Sequence, residues 1–233
     1  MKLLGGLALG AAAPGAVALV MAAPASATCL AGGGVSVGSG CDATMTSFAI
    51  GLGPNTVASA GGTRNVAVAF GRGAFAQAGS DRTDTRDSAM SLGRSARAYA
   101  TDGSHNTALA VGDRVPLGDG EYSDTEADAT LGDHNKATAI GNGTYAFTRW
   151  GDHNTVSATG TMSQAYAGFG GSHNRAVILG DNSLASAGGD QEEPGHSDHN
   201  VATVTGNTSR ATAGPGSNNH VHITGNGITR SKP

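Results

Sequence analysis

The sequence is short of almost everything a conventional core is made from. Of 233 residues only 4% are aromatic (five Phe, four Tyr, one Trp), and the apolar 38% is carried largely by alanine. Large side chains supply most of the burial that offsets chain entropy, so a core of interlocking Leu and Phe is excluded. Charge is scarce too, at 14%, and weakly acidic, with 18 Asp and Glu against 14 Lys and Arg. That balance gives no electrostatic basis for partnership with nucleic acid or an anionic membrane. Catalytic signatures are missing: there is no P-loop and no H-E-x-x-H. The G-G-x-G-x-D nonapeptide of calcium-binding rolls does not occur in register either. The expectation is a chain that is not an enzyme and carries no cofactor.

What the chain does have is glycine, 38 residues of it, and repetition. Such a composition borders on disorder, and strict periodicity is what opposes that reading. The first stretch stands apart from the repeat. Met1-Lys2 is a short basic start, Leu3 to Met21 is apolar, and Ala25-Ser26-Ala27 is an A-x-A cleavage motif. This is the pattern of a secretory signal peptide over 1–27, leaving no membrane span after cleavage. Losing Lys2 takes the formal net charge from −4 to −5. The only cysteines, Cys29 and Cys41, follow closely. In an exported chain the default is a disulfide between them, pinning an N-terminal cap over 28–54.

The repeat begins with Asn, places Gly six residues on, and continues with Ala, Ser or Thr at the third, fifth and seventh places after that Gly. Its starts are Asn55, Asn65, Asp87, Asn106, Asn135, Asn154, Asn174, Asn200 and Asn219, each with its Gly, from Gly61 to Gly225. The recurring spacing is 19 or 20 residues. Longer gaps around Asp113 to Asp124 and Gly189 to His196 read as loops extruded from a regular stack. Inside each copy the small residues alternate with period two, as in Ala74, Ala76, Ala78 and Ser163, Ala165, Ala167, which is strand spacing. Each copy is then two short strands joined by Gly turns, and stacking lets every strand bond its equivalent about 4.8 Å away. The predicted fold is all-β: a parallel β-solenoid, a flattened β-roll of about 19–20-residue coils over 55–228, with 229–233 as a tail. Asn106, Asn135, Asn154, Asn174 and Asn200 are expected to form an internal ladder, amide bonded to amide.

The runs Ala137-Thr-Ala-Ile-Gly141 with Thr144-Tyr-Ala146, and Asn106-Thr-Ala-Leu-Ala-Val-Gly112, resemble the head repeats of YadA-like trimeric autotransporter adhesins. The resemblance covers most of residues 55–225. It implies a left-handed parallel β-roll, surface binding and a homotrimer.

Two side-chain sets are candidates for function. His105, His134, His153, His173 and His199 each precede a repeat Asn, and Asp133, Asp152 and Asp198 precede three of them. Stacked on one edge, they offer imidazole and carboxylate donors of the kind Zn²⁺ takes at about 2 Å; the alternative is that His-Asn simply fits the turn. The second set is an outward stripe of Tyr99, Tyr145, Phe147 and Tyr166, with Phe75 beside it and Phe70, Leu92, Val111, Ile140 and Leu179 on the other strands. Contiguous apolar patches on secreted proteins mark interfaces. The functional expectation is a secreted structural or adhesive solenoid, extracellular or in the cell envelope, with an unknown protein or glycan as surface ligand. The alternative is an exported metal-binding protein using the His/Asp ladder.

Overall fold

A computed structural model describes residues 8–12, 16–20, 28–118, 120–188 and 197–232. The chain is an all-β parallel solenoid built on two sheets, with no helix among the described residues and so none that could cross a membrane. The first sheet stacks Phe48–Leu52, Val66–Phe70, Ser88–Leu92, Thr107–Val111, Lys136–Ile140, Thr155–Thr159, Arg175–Leu179, Val201–Thr205 and His220–Thr224, all parallel and in register. The second stacks Cys41–Ala43, Val57–Ala60, Phe75–Ala78, Arg97–Thr101, Glu126–Thr130, Tyr145–Arg149, Gln164–Ala167, Leu184–Ala187, Arg210–Ala213 and Thr229–Lys232. Phe48–Leu52 lies in the segment expected to be a cap and Thr229–Lys232 in that expected to be a tail; both pair as ordinary coil strands.

Alanine makes the roll thin. Inward positions such as Ala67, Ala69, Ala76, Ala78, Ala137, Ala139 and Ala146 are fully buried, and the two sheets meet through them. Such small side chains let two sheet faces approach closely, so each coil buries little apolar area and depends on its neighbours. Later coils carry larger inward residues on the first sheet, Val156, Ile178, Val204 and Ile223.

The internal Asn column forms, with a different bond from the expected one. Asn106 Oδ1 accepts the Asn135 N–H at 2.9 Å, and the same link runs from Asn135 to Asn154, Asn154 to Asn174, Asn174 to Asn200 and Asn200 to Asn219. Nδ2 donates to the glycine carbonyl of the next turn, as from Asn135 to Gly151 at 2.8 Å. The amides do not bond each other because the backbone N–H at each coil start faces inward without a strand partner, and a buried N–H must be satisfied. The column starts at Ser47, whose hydroxyl accepts the Asn65 N–H. Asn55 is not in it: with φ +59° it sits on the opposite edge, level with Gly73, Ser95 and Gly143. On that edge a second column runs through hydroxyls, Thr144, Ser163, Ser183 and Ser209 each donating to a glycine carbonyl of the next coil.

The edge glycines are required by close approach. A Cβ at Gly141, where φ is +122°, would lie 1.8 Å from the Gly160 carbonyl oxygen. At the N-terminal end Cys29 and Cys41 form a disulfide joining the two sheets. Gly51 stands where the next coil has Ala69, and a Cβ there would meet the Cys29 sulfur at 2.6 Å. The strand holding Cys29, Thr28–Gly32, runs antiparallel to Phe48–Leu52 and to Val35–Val37, and Val35–Val37 closes the first sheet at this end. Ala8–Ala12 and Ala16–Val20 pair antiparallel within the expected leader; its cleavage motif at 25–27 and the expected loop at 189–196 lie outside the described residues. The other insertion is an antiparallel hairpin, Val115–Gly118 with Glu121–Ser123, extruded between the two strands of one coil.

Candidate functional site

The histidine column is real and runs along one edge. His105, His134, His153, His173 and His199 all have φ between +59° and +62°, the left-handed turn conformation, shared with Arg64, Arg86 and Asn218 at equivalent places. His and Asn are among the side chains that tolerate this region best. Adjacent rings stack with centroids 4.6, 4.8, 5.0 and 4.9 Å apart and planes within 3° of parallel. The Arg86 guanidinium continues the column, 3.1 Å from His105 Nε2. A metal bound by imidazole lies in the ring plane, and parallel rings share no such point. Equivalent nitrogens of in-register rings are also farther apart than the ~4.2 Å that two Zn–N bonds span. The aspartates are engaged elsewhere: Asp133 Oδ1 accepts the Ser104 N–H, Asp152 Oδ1 the Asp133 N–H and Asp198 Oδ1 the Ser172 N–H, each at 2.7 Å. Among the described residues no group of three or more His, Cys, Asp or Glu is placed to hold a metal ion. In this arrangement the histidines fill the left-handed turn position of their coils.

The outer face of the second sheet is chemically richer. Its strands alternate Ala inward with larger residues outward, so the outward set is aligned coil upon coil by the parallel register. Down the middle run Gln77, Tyr99, Asp128, Phe147, Tyr166 and Ser186, and beside them Phe75, Arg97, Glu126, Tyr145, Gln164 and Leu184. The expected stripe is therefore divided by an acidic coil. On one side Phe75 packs on Tyr99 with centroids 5.1 Å apart. On the other, Tyr145, Phe147 and Tyr166 form a near-parallel cluster, with centroids 5.7 and 5.6 Å apart. Tyr166 continues to Phe169 at 5.9 Å, which meets the exposed Trp150 edge-on at 6.3 Å.

Between the two groups lies a charged knot. Asp128 is 5% exposed although it points outward, because Tyr99 and Phe147 flank it on the adjacent strands. Arg149 donates to Asp128 Oδ2 from both Nε, at 2.8 Å, and Nη2, and its guanidinium carbon lies 4.9 Å from the Phe147 centroid. Asp128 Oδ1 is buried without a hydrogen-bond partner. Burial pushes the Asp128 carboxyl above its ordinary range against the pull of Arg149. Burial, helped by the Asp128 charge, raises Glu126 as well, and burial raises Tyr99 and Tyr166. A second ion pair, Arg97 with Asp124 at 3.0 Å, closes the rim.

The hairpin turns this face into a groove of about 310 Å³, between Leu117 and Ser123 on one side and Tyr145, Phe147, Gln164 and Tyr166 on the other, with Met162 at its end. Arg114 braces the hairpin by lying 4.3 Å over the Tyr122 ring.

No family model, curated protein or solved structure matches this chain. The adhesin resemblance rests on the repeat alone.

Sequence reasoning placed Tyr99, Tyr145, Phe147 and Tyr166 on one face. It missed Asp128, Arg149, Trp150 and Phe169, and read the 113–124 insertion as an extruded loop without its role as a wall of the groove. The one available signal was Glu126-Ala-Asp128, two acids at strand spacing, the only such pair among the strands of the second sheet.

Proposed function

We propose that this chain is a secreted structural and adhesive β-solenoid that holds a partner, protein or glycan, against the outer face of its second sheet. The observation that carries the reading is the Tyr145, Phe147 and Tyr166 cluster, extended to Phe169 and Trp150, on a support whose strands are hydrogen-bonded on both sides. Aromatic groups on a rigid frame give contact area at low entropy cost, and such groups dominate recognition surfaces. Export is supported by the leader pattern and by a disulfide, which persists in oxidising compartments. The role is binding, without catalysis. The test is retention of extracellular matrix proteins and arrayed glycans on the immobilised chain. Phe147→Thr with Tyr166→Thr should abolish retention of whichever ligand is held; no retention by the parent chain sinks the reading.

A second observation favours self-association. On the first sheet Phe48, Val66, Val68, Phe70, Met90 and Leu92 face outward over three adjacent coils, with Phe48, Val66 and Met90 at 38–39% exposure. This is an apolar patch of the kind that marks interfaces, and it suits packing between rods of one repeat, the homotrimer that the adhesin resemblance implies. Light scattering on the purified chain should give a multiple of the monomer mass that Val68→Lys reduces to one; a monomeric parent chain refutes it.

A further inference from the structure

We propose that the groove beside the 115–123 hairpin is a saccharide site that takes a neutral oligosaccharide; this rests on the surface-binding reading and narrows it to one ligand class. The groove holds about 310 Å³, at the low end of small-molecule pockets, and is lined by parallel aromatic side chains interleaved with neutral polar ones. Pyranose rings present patches of C–H groups that lie against the electron-rich faces of aromatic rings, alternating with hydroxyls that both donate and accept. The wall supplies both needs. Tyr145, Phe147 and Tyr166 provide the rings. The Ser123 hydroxyl lies 3.2 Å from the Tyr145 hydroxyl, and the Tyr166 hydroxyl donates to Gln164 Oε1 at 2.9 Å. The Gln164 Nε2 donors have no protein acceptor among the described residues.

Two observations weigh against other ligand classes. An extended peptide most simply joins a sheet at a free edge, but Tyr145–Arg149 is paired to Glu126–Thr130 and Gln164–Ala167, and Gln164–Ala167 in turn to Leu184–Ala187. Within the second sheet no edge is open at the groove, and the hairpin beside it offers only two short strands, of four and three residues. An anionic ligand needs an uncompensated cation, whereas Arg149 and Arg97 are already paired, with Asp128 and Asp124, and Glu126, in register with Tyr145, adds negative charge. Those pairs serve the site by position: Arg149 is held over the Phe147 ring by the buried Asp128 carboxylate, fixing one wall of the groove.

The experiment titrates the full chain with cellotetraose, chitotetraose and maltotetraose, against tetragalacturonate, a chitosan tetramer and a proline-rich peptide. Trp150 is the sole tryptophan and is linked through Phe169 to Tyr166, so its fluorescence reports occupancy, and amide shifts map the site. The expected result is saturation by at least one neutral tetrasaccharide, with shifts centred on Ser123, Tyr145, Phe147, Gln164 and Tyr166. Phe147→Thr and the exposed Gln164→Ala should each weaken binding at least tenfold, with Thr212→Ala, two coils away on the same face, unchanged. Gln164→Ala removes only a surface amide, so it keeps the test valid even if Phe147→Thr unfolds. Saturation by none of the three, or shifts centred elsewhere, overturns the assignment. Binding of only the charged oligomers or the peptide also overturns it but leaves the surface-binding reading standing, which fails only if the chain retains nothing at all.

Discussion

Replacing Asp87 by Asn should stabilise the protein, and by an amount that grows with pH. Asp87 occupies an asparagine place in the internal column: its N–H donates to Asn65 Oδ1 and its Oδ1 accepts the Asn106 N–H, both at 2.8 Å. An asparagine there would also donate from Nδ2 to the next turn's carbonyl, which by the register of neighbouring coils is that of Gly103. An ionised carboxylate has no proton to give, and Asp87 Oδ2 is buried without a partner. Burial, reinforced by the charges of Asp84, Asp133 and Asp102, outweighs the Asn106 N–H and raises the carboxyl from 3.8 to about 7. At about 1.4 kcal/mol per pH unit the ionised state costs up to ~4 kcal/mol. The roll is thin and Asp87 lies one residue below the exposed Arg86 turn, so screening brings the expected cost to about 2–4 kcal/mol. The sign follows from proton binding. Because the folded carboxyl holds its proton more tightly than the unfolded one, stability from this group is fully present below pH 4. It is lost as pH rises to 7 and is level beyond. Urea unfolding followed by far-ultraviolet dichroism from pH 4 to 8 should show Asp87→Asn near the parent at pH 4 and about 2–4 kcal/mol above it at pH 8. Asn135→Asp should create the reverse dependence. A difference that does not change with pH, or a variant less stable than the parent at pH 8, refutes the reasoning.

Other perturbations test the remaining parts of the frame. Ser91, whose buried hydroxyl has no partner, stands in register between Ala69 and Ala110, so Ser91→Ala should add about 1 kcal/mol in the same urea assay. Gly141→Ala should cost about 2–4 kcal/mol, because its Cβ overlaps the Gly160 carbonyl in a backbone conformation that disfavours side chains. Reduction of the Cys29–Cys41 bridge should cost about 3 kcal/mol, and amide exchange should rise first in Thr28–Leu52. Added Zn²⁺ should leave the proton shifts of His105, His134, His153, His173 and His199 in place; saturable shifts of two neighbours would show that the stacked rings open to ligate.

Much of the fold was legible because a repeat is a direct record of register. Alternating Ala at 96, 98 and 100, or Ser163, Ala165 and Ala167, fixes strand periodicity and the inward face, and Gly at a constant offset fixes where the chain turns. The disulfide was readable from two lone cysteines behind a leader pattern. Three things were decided only in three dimensions. Asn55 matches the local motif yet sits on the wrong edge, because motif and column differ by half a coil and only strand pairing tells them apart. The histidines recur like ligands, but stacking of parallel rings turns their nitrogens away from any shared point. Asp128, Arg149 and the hairpin, separated along the chain, converge on Phe147 because parallel stacking converts a separation of about one coil into ~4.8 Å. Periodicity is a property of neighbours along the chain and sets the strands and turns; a site is a property of neighbours between coils, where each insertion shifts the correspondence and burial decides which charges remain unpaired.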